Sequence, residues 1–226
     1  MTRLALVTGG NRGLGLEIAK GLAAQGYKVL LGCRNLEQGN QAASNIAGDV
    51  EAVHLDLSNS NILRNQIKEI LSTYPKIDVL INNAAILIRD EIFDIDEEDF
   101  YATMQINLNA AFDLIQLITP TMIKQNYGRI VNITSDFGSF KDGLLGPVSY
   151  SVSKAALNAL TMNVARTLPD TVKINSVHPG WLKTDMGGLD APLSIIEGAE
   201  TPIWLATLED DGPTGLFFHQ KELKQW

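Results

Sequence analysis

The stretch LALVTGGNRGLG, residues 4–15, joins a short apolar run to a cluster of glycines. The apolar residues favour a buried strand, and the glycines predict a tight turn that opens a helix. Such a turn points free backbone N–H groups and the positive end of a helix towards a ligand, which suits a pyrophosphate. The stretch therefore predicts a dinucleotide-binding βα unit, although a plain tight turn would leave the same pattern.

Apolar runs and helical patterns alternate along the whole chain. Nearly continuous hydrophobic runs predict strands that helices cover on both faces, at 4–8, 28–33, 51–55, 78–82, 129–134, 172–178 and a possible seventh at 215–219. Helical patterns occupy 13–25, 36–47, 60–73, 96–125, 150–168 and 194–208. The alternation predicts an α/β fold, a Rossmann-type doubly wound parallel sheet of about seven strands that binds ligands beyond the carboxyl ends of its strands. No linker or repeat interrupts it, so residues 1–226 are expected to form a single domain.

Charge and composition narrow the classes of partner. The net charge of −8 argues against nucleic acid or an anionic membrane. No apolar run approaches the roughly 20 residues that span a bilayer, and the N-terminal run is expected to be a strand and not a signal peptide. The single cysteine, Cys33, excludes an intramolecular disulfide and fits a reducing, cytoplasmic location. His54 and His219 lack metal-ligand spacing, so no metal is expected.

The end of the second predicted strand indicates which dinucleotide is bound. It reads LLGCRN, without the acid that commonly binds the ribose hydroxyls of NAD. Arg34 can pair instead with the additional phosphate of NADP, and Arg12 in the glycine turn can reach the same group. Two arginines without a competing carboxylate favour NADP(H). The alternative is that Arg34 is a solvated loop charge.

Several motifs follow one another in order: TGGNRGLG (8–15), HLDL (54–57), NNAA (82–85), Asn107 in a long helix, NITS (132–135), YSVSK (150–154) and HPGWLKT (178–184). Together they resemble the classical short-chain dehydrogenase/reductase superfamily over essentially the whole chain. HPGWLKTDMGG and GAETPIWLATL (198–208) further resemble its carbonyl reductase branch.

The resemblance implies a catalytic set of Asn107, Ser135, Tyr150 and Lys154. A carbonyl that accepts a hydride becomes an alkoxide, and Tyr150 would supply the proton that it needs. Lys154, one helical turn away, and the oxidised nicotinamide would lower the pKa of the phenol by roughly two to three from about 10. Ser135 would donate to the substrate oxygen, and Asn107 would hold a water through a helix irregularity. On its own, YxxxK is more simply a helix-start aromatic and a surface lysine.

The resemblance also assigns contacts to the cofactor. Asp56 and Leu57 would flank the adenine, although Asp56 could also be a helix cap. Asn83 would stabilise the central sheet and could be wholly structural. The expected cofactor-binding set is Gly9, Asn11, Arg12, Gly13, Leu14, Gly15, Arg34, Asp56, Leu57, Asn83, Ala84, Tyr150, Lys154, Pro179, Gly180, Leu182 and Thr184.

These patterns predict an NADPH-dependent reductase of a small aldehyde or ketone. One alternative is a dedicated reductase of 3-oxoacyl thioesters or of a single metabolite. Another is a non-catalytic NADP-binding sensor or scaffold.

The segment between Thr184 and the next helix is only DMGGLDAPL, which suggests an open pocket with loose specificity. Trp181 either lines this pocket or covers the sheet edge. Four loop residues would form apolar walls, or would pack internally or at a subunit contact: Phe137, Phe140, Leu144 and Leu145. The helices at 96–125 and 150–168 are expected to pack against a second subunit, so the chain is expected to form a homodimer or homotetramer.

Overall fold

The computed structural model describes residues 2–89 and 91–226. Within these ranges one sheet contains the strands β1 Leu4–Thr8, β2 Lys28–Cys33, β3 Val50–His54, β4 Val79–Asn82, β5 Gly128–Ile133, β6 Val172–Val177, β7 Phe217–His219 and β8 Glu222–Lys224. Their order is β3-β2-β1-β4-β5-β6-β7-β8, parallel throughout except that β8 runs antiparallel to β7. Because the strand order reverses between β1 and β4, a crevice is expected at their carboxyl ends.

Helices connect the parallel strands: α1 Gly13–Ala24, α2 Leu36–Ser44, α3 Ser60–Thr73, α4 Glu97–Met104, α5 Ala110–Lys124, α6 Val148–Ala165 and α7 Ile195–Ala206. A π-helical segment, Gln105–Asn109, joins α4 to α5, and a 3-10 turn at Asp136–Gly138 follows β5. Across the described ranges, none of these helices is long and apolar enough to cross a membrane.

Two apolar cores lie on opposite faces of the sheet. Ala5 and Val7 of β1 pack in the core beneath α1, α2 and α7, while Leu4 and Leu6 pack in the core beneath α3 and α5. Consecutive residues of a strand point to opposite faces. A strand between two helical layers therefore needs apolar residues at nearly every position, as in the first four residues of LALVT.

The predicted doubly wound α/β fold is confirmed, with one strand more than expected. The extra strand, β8, has the sequence ELK, and its Leu223 is 69% exposed. As an edge strand it pairs only with β7 among the described strands, so it has neither the hydrophobic run nor the burial that marks the interior strands.

A buried arginine joins three segments at the amino-terminal end of β5. The side chain of Arg129 is fully buried. Its guanidinium donates to the carbonyl oxygens of Leu208 at 2.7 Å, Gly128 at 2.9 Å and Thr171 at 3.0 Å, and to the carboxylate of Asp210 at 2.7 Å. The backbone carbonyls satisfy most of the buried donors, which is the condition for a charge to be tolerated inside a protein.

Candidate active site

A cleft of about 650 Å³ opens at the carboxyl ends of the central strands. Its walls include every expected catalytic and cofactor-binding residue except Gly15, Asp56 and Asn107. The sequence motifs, although spread over most of the chain, are therefore brought to one surface by the strand order.

The glycine turn forms the floor of one end of this cleft. Gly9 (φ +62°) and Gly13 (φ +56°) both adopt the left-handed conformation that side chains disfavour. A Cβ on Gly15 would lie 2.4 Å from the carbonyl oxygen of Gly9, so only glycine permits α1 to pack on the turn. Gly15 therefore supports the position of the turn without lining the cleft itself.

The beginning of α1 fits the pyrophosphate of a dinucleotide. Its N-cap residue, Arg12, has an extended backbone, and no side chain of the described residues caps this helix end. A Cβ on Gly13 would meet only Thr184, at 4.0 Å, so the backbone here borders open space. The first backbone N–H groups of the helix are therefore free to bind an anion.

Asn83 connects the ends of β1 and β4 beside the turn. Its side-chain amide donates to the carbonyl oxygen of Thr8 at 2.9 Å, and its backbone N–H donates to the Thr8 hydroxyl at 2.9 Å. The expected contribution of Asn83 to the central sheet is observed, and the same residue also lines the cleft.

Asp56 forms a local turn and does not cap a helix. Its carboxylate accepts from the backbone N–H of Ser58 at 2.9 Å, and this hydrogen bond is the main reason that the pKa of Asp56 is lowered. The cap of α3 is Asn59, which accepts from Asn61 N at 2.9 Å. The helix-cap alternative for Asp56 is therefore wrong, and its neighbour Leu57 is the one that lines the cleft.

The two predicted phosphate-binding arginines differ in their present contacts. Arg12 forms a 3.0 Å ion pair with Asp185, and the two side chains are 76% and 83% exposed. Arg34 lines the cleft beside the end of β2. An ion pair this exposed is weak. The guanidinium of Arg12 can therefore leave Asp185 and pair with a phosphate at little cost in free energy.

Tyr150 and Lys154 lie in the first two turns of α6 and are both buried, with 7% and 2% of their surface exposed. The ammonium nitrogen of Lys154 lies 5.5 Å from the centre of the Tyr150 ring and donates to the carbonyl oxygen of Ile133 at 2.8 Å. Ser135 follows β5 and lines the same cleft. The structure thus brings Ser135, Tyr150 and Lys154 together, as the resemblance to the family implies.

Burial dominates the electrostatics of this group. Desolvation raises the pKa of Tyr150 to about 12; the carboxylate of Asp136 adds to the rise, and the Ser135 hydroxyl opposes it. Desolvation also lowers the pKa of Lys154 to about 7. In the protein without cofactor, removal from water outweighs the attraction of a neighbouring ammonium. The expected lowering of the phenol pKa includes the charge of the oxidised nicotinamide, so it stays a prediction.

Asn107 lies behind the cleft in the π-helical segment, which confirms the predicted helix irregularity. Its side-chain oxygen accepts from Ile86 N at 2.9 Å, and its amide nitrogen donates to Ile86 O at 3.0 Å and to the Ser153 hydroxyl at 3.1 Å. These bonds connect α6 to the segment after β4. The expected water-holding role of Asn107 stays a prediction.

Sequence reasoning missed Asp136, the residue after Ser135. Asp136 accepts a 2.8 Å hydrogen bond from the Ser135 hydroxyl, and both residues line the cleft. His178 also lines the cleft and lies 3.8 Å from Asp136. Its ring stacks on His219 with centroids 4.7 Å apart. The signal in the sequence was an acid directly after the predicted hydrogen-bond donor.

The apolar wall is only partly the one expected. Phe137 lines the cleft and packs edge-on against Tyr150, with centroids 6.4 Å apart. Phe140 and Leu145 are 72% and 81% exposed and, like Leu144, lie outside the wall. Trp181 lines the cleft, and its indole N–H donates to Gly187 O at 2.7 Å. In the described parts of the chain, no group of three or more His, Cys, Asp or Glu side chains could hold a metal.

Comparisons with known proteins agree with this arrangement. The family model of the short chain dehydrogenases matches residues 3–191. The chain is 36% identical over 192 residues, 81% of its length, to a 3-oxoacyl-[acyl-carrier-protein] reductase of Synechocystis sp., of which the match covers 76%. It is 35% identical over 198 residues, 85% of its length, to a cyclopentanol dehydrogenase of Comamonas sp., of which 78% is covered.

Solved structures extend the likeness over the complete chain. The NADPH-bound carbonyl reductase from chicken fatty liver superposes with a TM-score of 0.88 at 26% sequence identity, covering 100% of this chain and 99% of that one. The sheet order, the glycine turn, the serine–tyrosine–lysine group and these relatives lead to one conclusion: the chain belongs to the short-chain dehydrogenase family of oxidoreductases.

Proposed function

We propose that this single-domain chain is an NADPH-dependent reductase that converts an aldehyde or ketone to the alcohol. The observation that carries the proposal is the meeting of Ser135, Tyr150 and buried Lys154 in the cleft whose other end is the glycine turn. A protein that only bound the dinucleotide would not need a proton donor and a buried amine beside it.

The residues at the cofactor end support NADP(H). The N–H groups at the start of α1 would bind the pyrophosphate, and Arg12 and Arg34 would pair with the additional phosphate. The likeness to a carbonyl reductase solved with NADPH supports the same cofactor. Cysteine usage, with Cys33 alone, favours a reducing compartment such as the cytoplasm.

The side chains divide the chemistry of reduction among them. Bound NADPH would supply a hydride to the carbonyl carbon. Tyr150 would donate its proton to the carbonyl oxygen, so that the products are the alcohol, NADP⁺ and a phenolate. The Ser135 hydroxyl would turn from Asp136 to donate to the same oxygen and stabilise its developing charge. Lys154, with a pKa lowered to about 7 by burial, suits proton exchange near neutral pH and would help to reprotonate the phenolate.

The test is NADPH oxidation with a panel of aldehydes and ketones. Tyr150→Phe should reduce kcat by roughly 10²- to 10⁴-fold, the usual contribution of a positioned acid, while NADPH binding by fluorescence persists. Tyr101→Phe, on an exposed part of α4, is the matched control. If the wild type binds NADPH but reduces no carbonyl, the sensor or scaffold alternative replaces this proposal.

A 3-oxoacyl thioester reductase is the second candidate, because the Synechocystis relative carries that name. Acetoacetyl-CoA and acyl-carrier-protein thioesters separate it from a general carbonyl reductase. A kcat/KM for these thioesters at least about a hundredfold above that for simple ketones would favour the second candidate.

A homodimer or homotetramer is part of the same proposal. Phe112 of α5 is 47% exposed, and Val152 and Met162 of α6 are each 43% exposed, so both helices present apolar side chains to solvent. Burying such residues between subunits would stabilise an assembly. Light scattering at micromolar concentration tests this, and a monomer would contradict it.

A further inference from the structure

Asp136 places a carboxylate beside the position where the carbonyl would react. Its Oδ1 lies 2.8 Å from the Ser135 hydroxyl oxygen. A carbonyl oxygen that accepts from Ser135 would lie about 2.8 Å from the other side of that hydroxyl. Asp136 Oδ1 would then be within about 6 Å of the oxygen on which negative charge develops.

In the part of the chain that the structure describes, the carboxylate of Asp136 has no lysine or arginine partner. Among the ion pairs of residues 2–89 and 91–226, none joins Asp136 to a lysine or arginine. Lys224, which is close enough to act on His178, is paired with Asp142 at 2.6 Å. His178 lies 3.8 Å away, but burial lowers its pKa to about 4, so that it is neutral near pH 7.

The carboxylate is also open to the cleft. Its side chain is 44% exposed and forms part of the cleft wall. Oδ1 accepts from the Ser135 hydroxyl and from Phe137 N at 2.9 Å, whereas Oδ2 has no hydrogen bond within the described chain. One oxygen therefore fixes the position of the group, and the other can accept from a substrate.

The sequence that follows the cleft-lining residue Arg89 is acidic. Arg89 belongs to the cleft wall, but the segment that follows it, EIFDIDEED (91–99), carries six acidic residues, namely Glu91, Asp94, Asp96, Glu97, Glu98 and Asp99. Arg12 and Arg34 line the wall at the opposite, glycine-turn end. Acidic residues close in sequence to the cleft wall favour cations over anions around it.

From this placement we infer that Asp136 is a specificity-determining residue that selects carbonyl substrates carrying a protonated amine two to three carbons from the carbonyl group. The ammonium would donate to the carboxylate, and its charge would offset the repulsion between Asp136 and the developing alkoxide. A substrate carboxylate at the same position would meet two negative charges. The inference names the substrate class of the reductase proposed above and rests on that proposal.

Three phenyl ketones of similar shape form the test. 3-(Dimethylamino)propiophenone is cationic, 4-methyl-1-phenylpentan-1-one is its neutral counterpart, and 3-benzoylpropionate is anionic. NADPH oxidation at pH 7 should give the wild type a kcat/KM for the cation at least about tenfold above that for the neutral ketone, with the anion lowest. In Asp136→Asn, which keeps an oxygen to accept from Ser135 and Phe137, the cation-to-neutral ratio should fall at least about tenfold.

Asp211→Asn is the control, since it removes the same charge from an exposed residue. Asp211 follows Asp210, which pairs with Arg129 at the amino-terminal end of β5, whereas the cleft lies at the carboxyl ends of the strands. Its ratios should equal those of the wild type. An unchanged ratio in correctly folded Asp136→Asn, or a wild type that prefers the anion, overturns the inference. If none of the ketones is reduced, the proposed function fails instead. In that case the Kd of each of the three compounds is measured with the NADPH-loaded wild type and with Asp136→Asn. The wild type should bind the cation more tightly than the neutral ketone, and Asp136→Asn should lose this preference.

Discussion

The ammonium nitrogen of Lys154 donates a 2.8 Å hydrogen bond to the carbonyl oxygen of Ile133, the last residue of β5. The same strand end delivers Ser135 two residues later, and α6 carries Tyr150 one turn before Lys154. One strand end and one helix therefore set the relative positions of all three side chains. The lysine is only 2% exposed, so its charged form is stabilised by this carbonyl but opposed by the loss of water.

The burial of Lys154 predicts a particular pH dependence of stability. The folded-state pKa of about 7 lies below the ordinary 10.5, so between these values the unfolded chain binds a proton that the folded protein lacks. Stability therefore rises with pH across this window. Relative to Lys154→Met, the wild type should gain at most about 3 kcal/mol in free energy of unfolding between pH 6.5 and 9.5, measured by urea denaturation.

Lys68→Met, on the exposed face of α3, provides the comparison for this experiment. Its stability should follow that of the wild type at every pH. A constant difference between the wild type and Lys154→Met across the range would show that Lys154 keeps an ordinary affinity for its proton.

The negative charge of Asp136 raises the pKa of Tyr150, second only to burial. In the alcohol-oxidation direction the phenolate is the base, so kcat/KM should rise with pH through the titration of Tyr150. Asp136→Asn should move the midpoint of this rise to lower pH, because the phenolate no longer faces a carboxylate. A pH profile with NADP⁺ and a secondary alcohol measures it, with Asp211→Asn as the variant that should not move. A midpoint that stays at the same pH, or moves to higher pH, would mean that the charge of Asp136 does not raise the pKa of Tyr150.

The arginines at the cofactor end predict the cofactor preference. Arg34→Ala should raise the Kd for NADPH about ten- to a hundredfold, the value of a lost charge-assisted hydrogen bond, and leave the Kd for NADH nearly unchanged. Arg12→Ala should act in the same direction. Asp185→Asn releases Arg12 from its exposed ion pair and should tighten NADPH binding by no more than a few-fold. Fluorescence titration with both nucleotides decides, and equal losses for NADPH and NADH in Arg34→Ala would assign that residue to another part of the cofactor.

The sequence was sufficient where local patterns determine the structure. Unbroken apolar runs predicted the parallel strands to within two residues, since both faces of such a strand are covered. The glycines of the first turn were predictable because the left-handed conformations at Gly9 and Gly13 disfavour any other residue. The four-residue spacing of Tyr150 and Lys154 predicted their proximity, since it follows from the helical repeat.

What the sequence did not reveal depends on contacts distant in the chain or on solvent access. The pair of Arg12 and Asp185 joins residues 173 positions apart, across two loops whose approach no local pattern encodes. The direction of the Tyr150 pKa depends on how completely α6 and its neighbours remove water, and spacing carries no information about that. Asp136 was overlooked because an acid in a loop is ordinarily solvated, whereas here the turn after β5 directs it to the serine.

Buried Arg129, at the amino-terminal end of β5 and away from the cleft, allows a separate test of the fold. Arg129→Ala should lower the free energy of unfolding by about 3 kcal/mol or more, because it removes packing in the interior and leaves the carbonyls of Leu208 and Thr171 without their donor. Asp210→Asn should cost far less, since Asp210 is 72% exposed and the backbone carbonyls continue to satisfy the guanidinium. Denaturant unfolding of the two variants measures the difference. Equal losses would mean that the ion pair, and not the set of carbonyls, keeps this charge inside the protein.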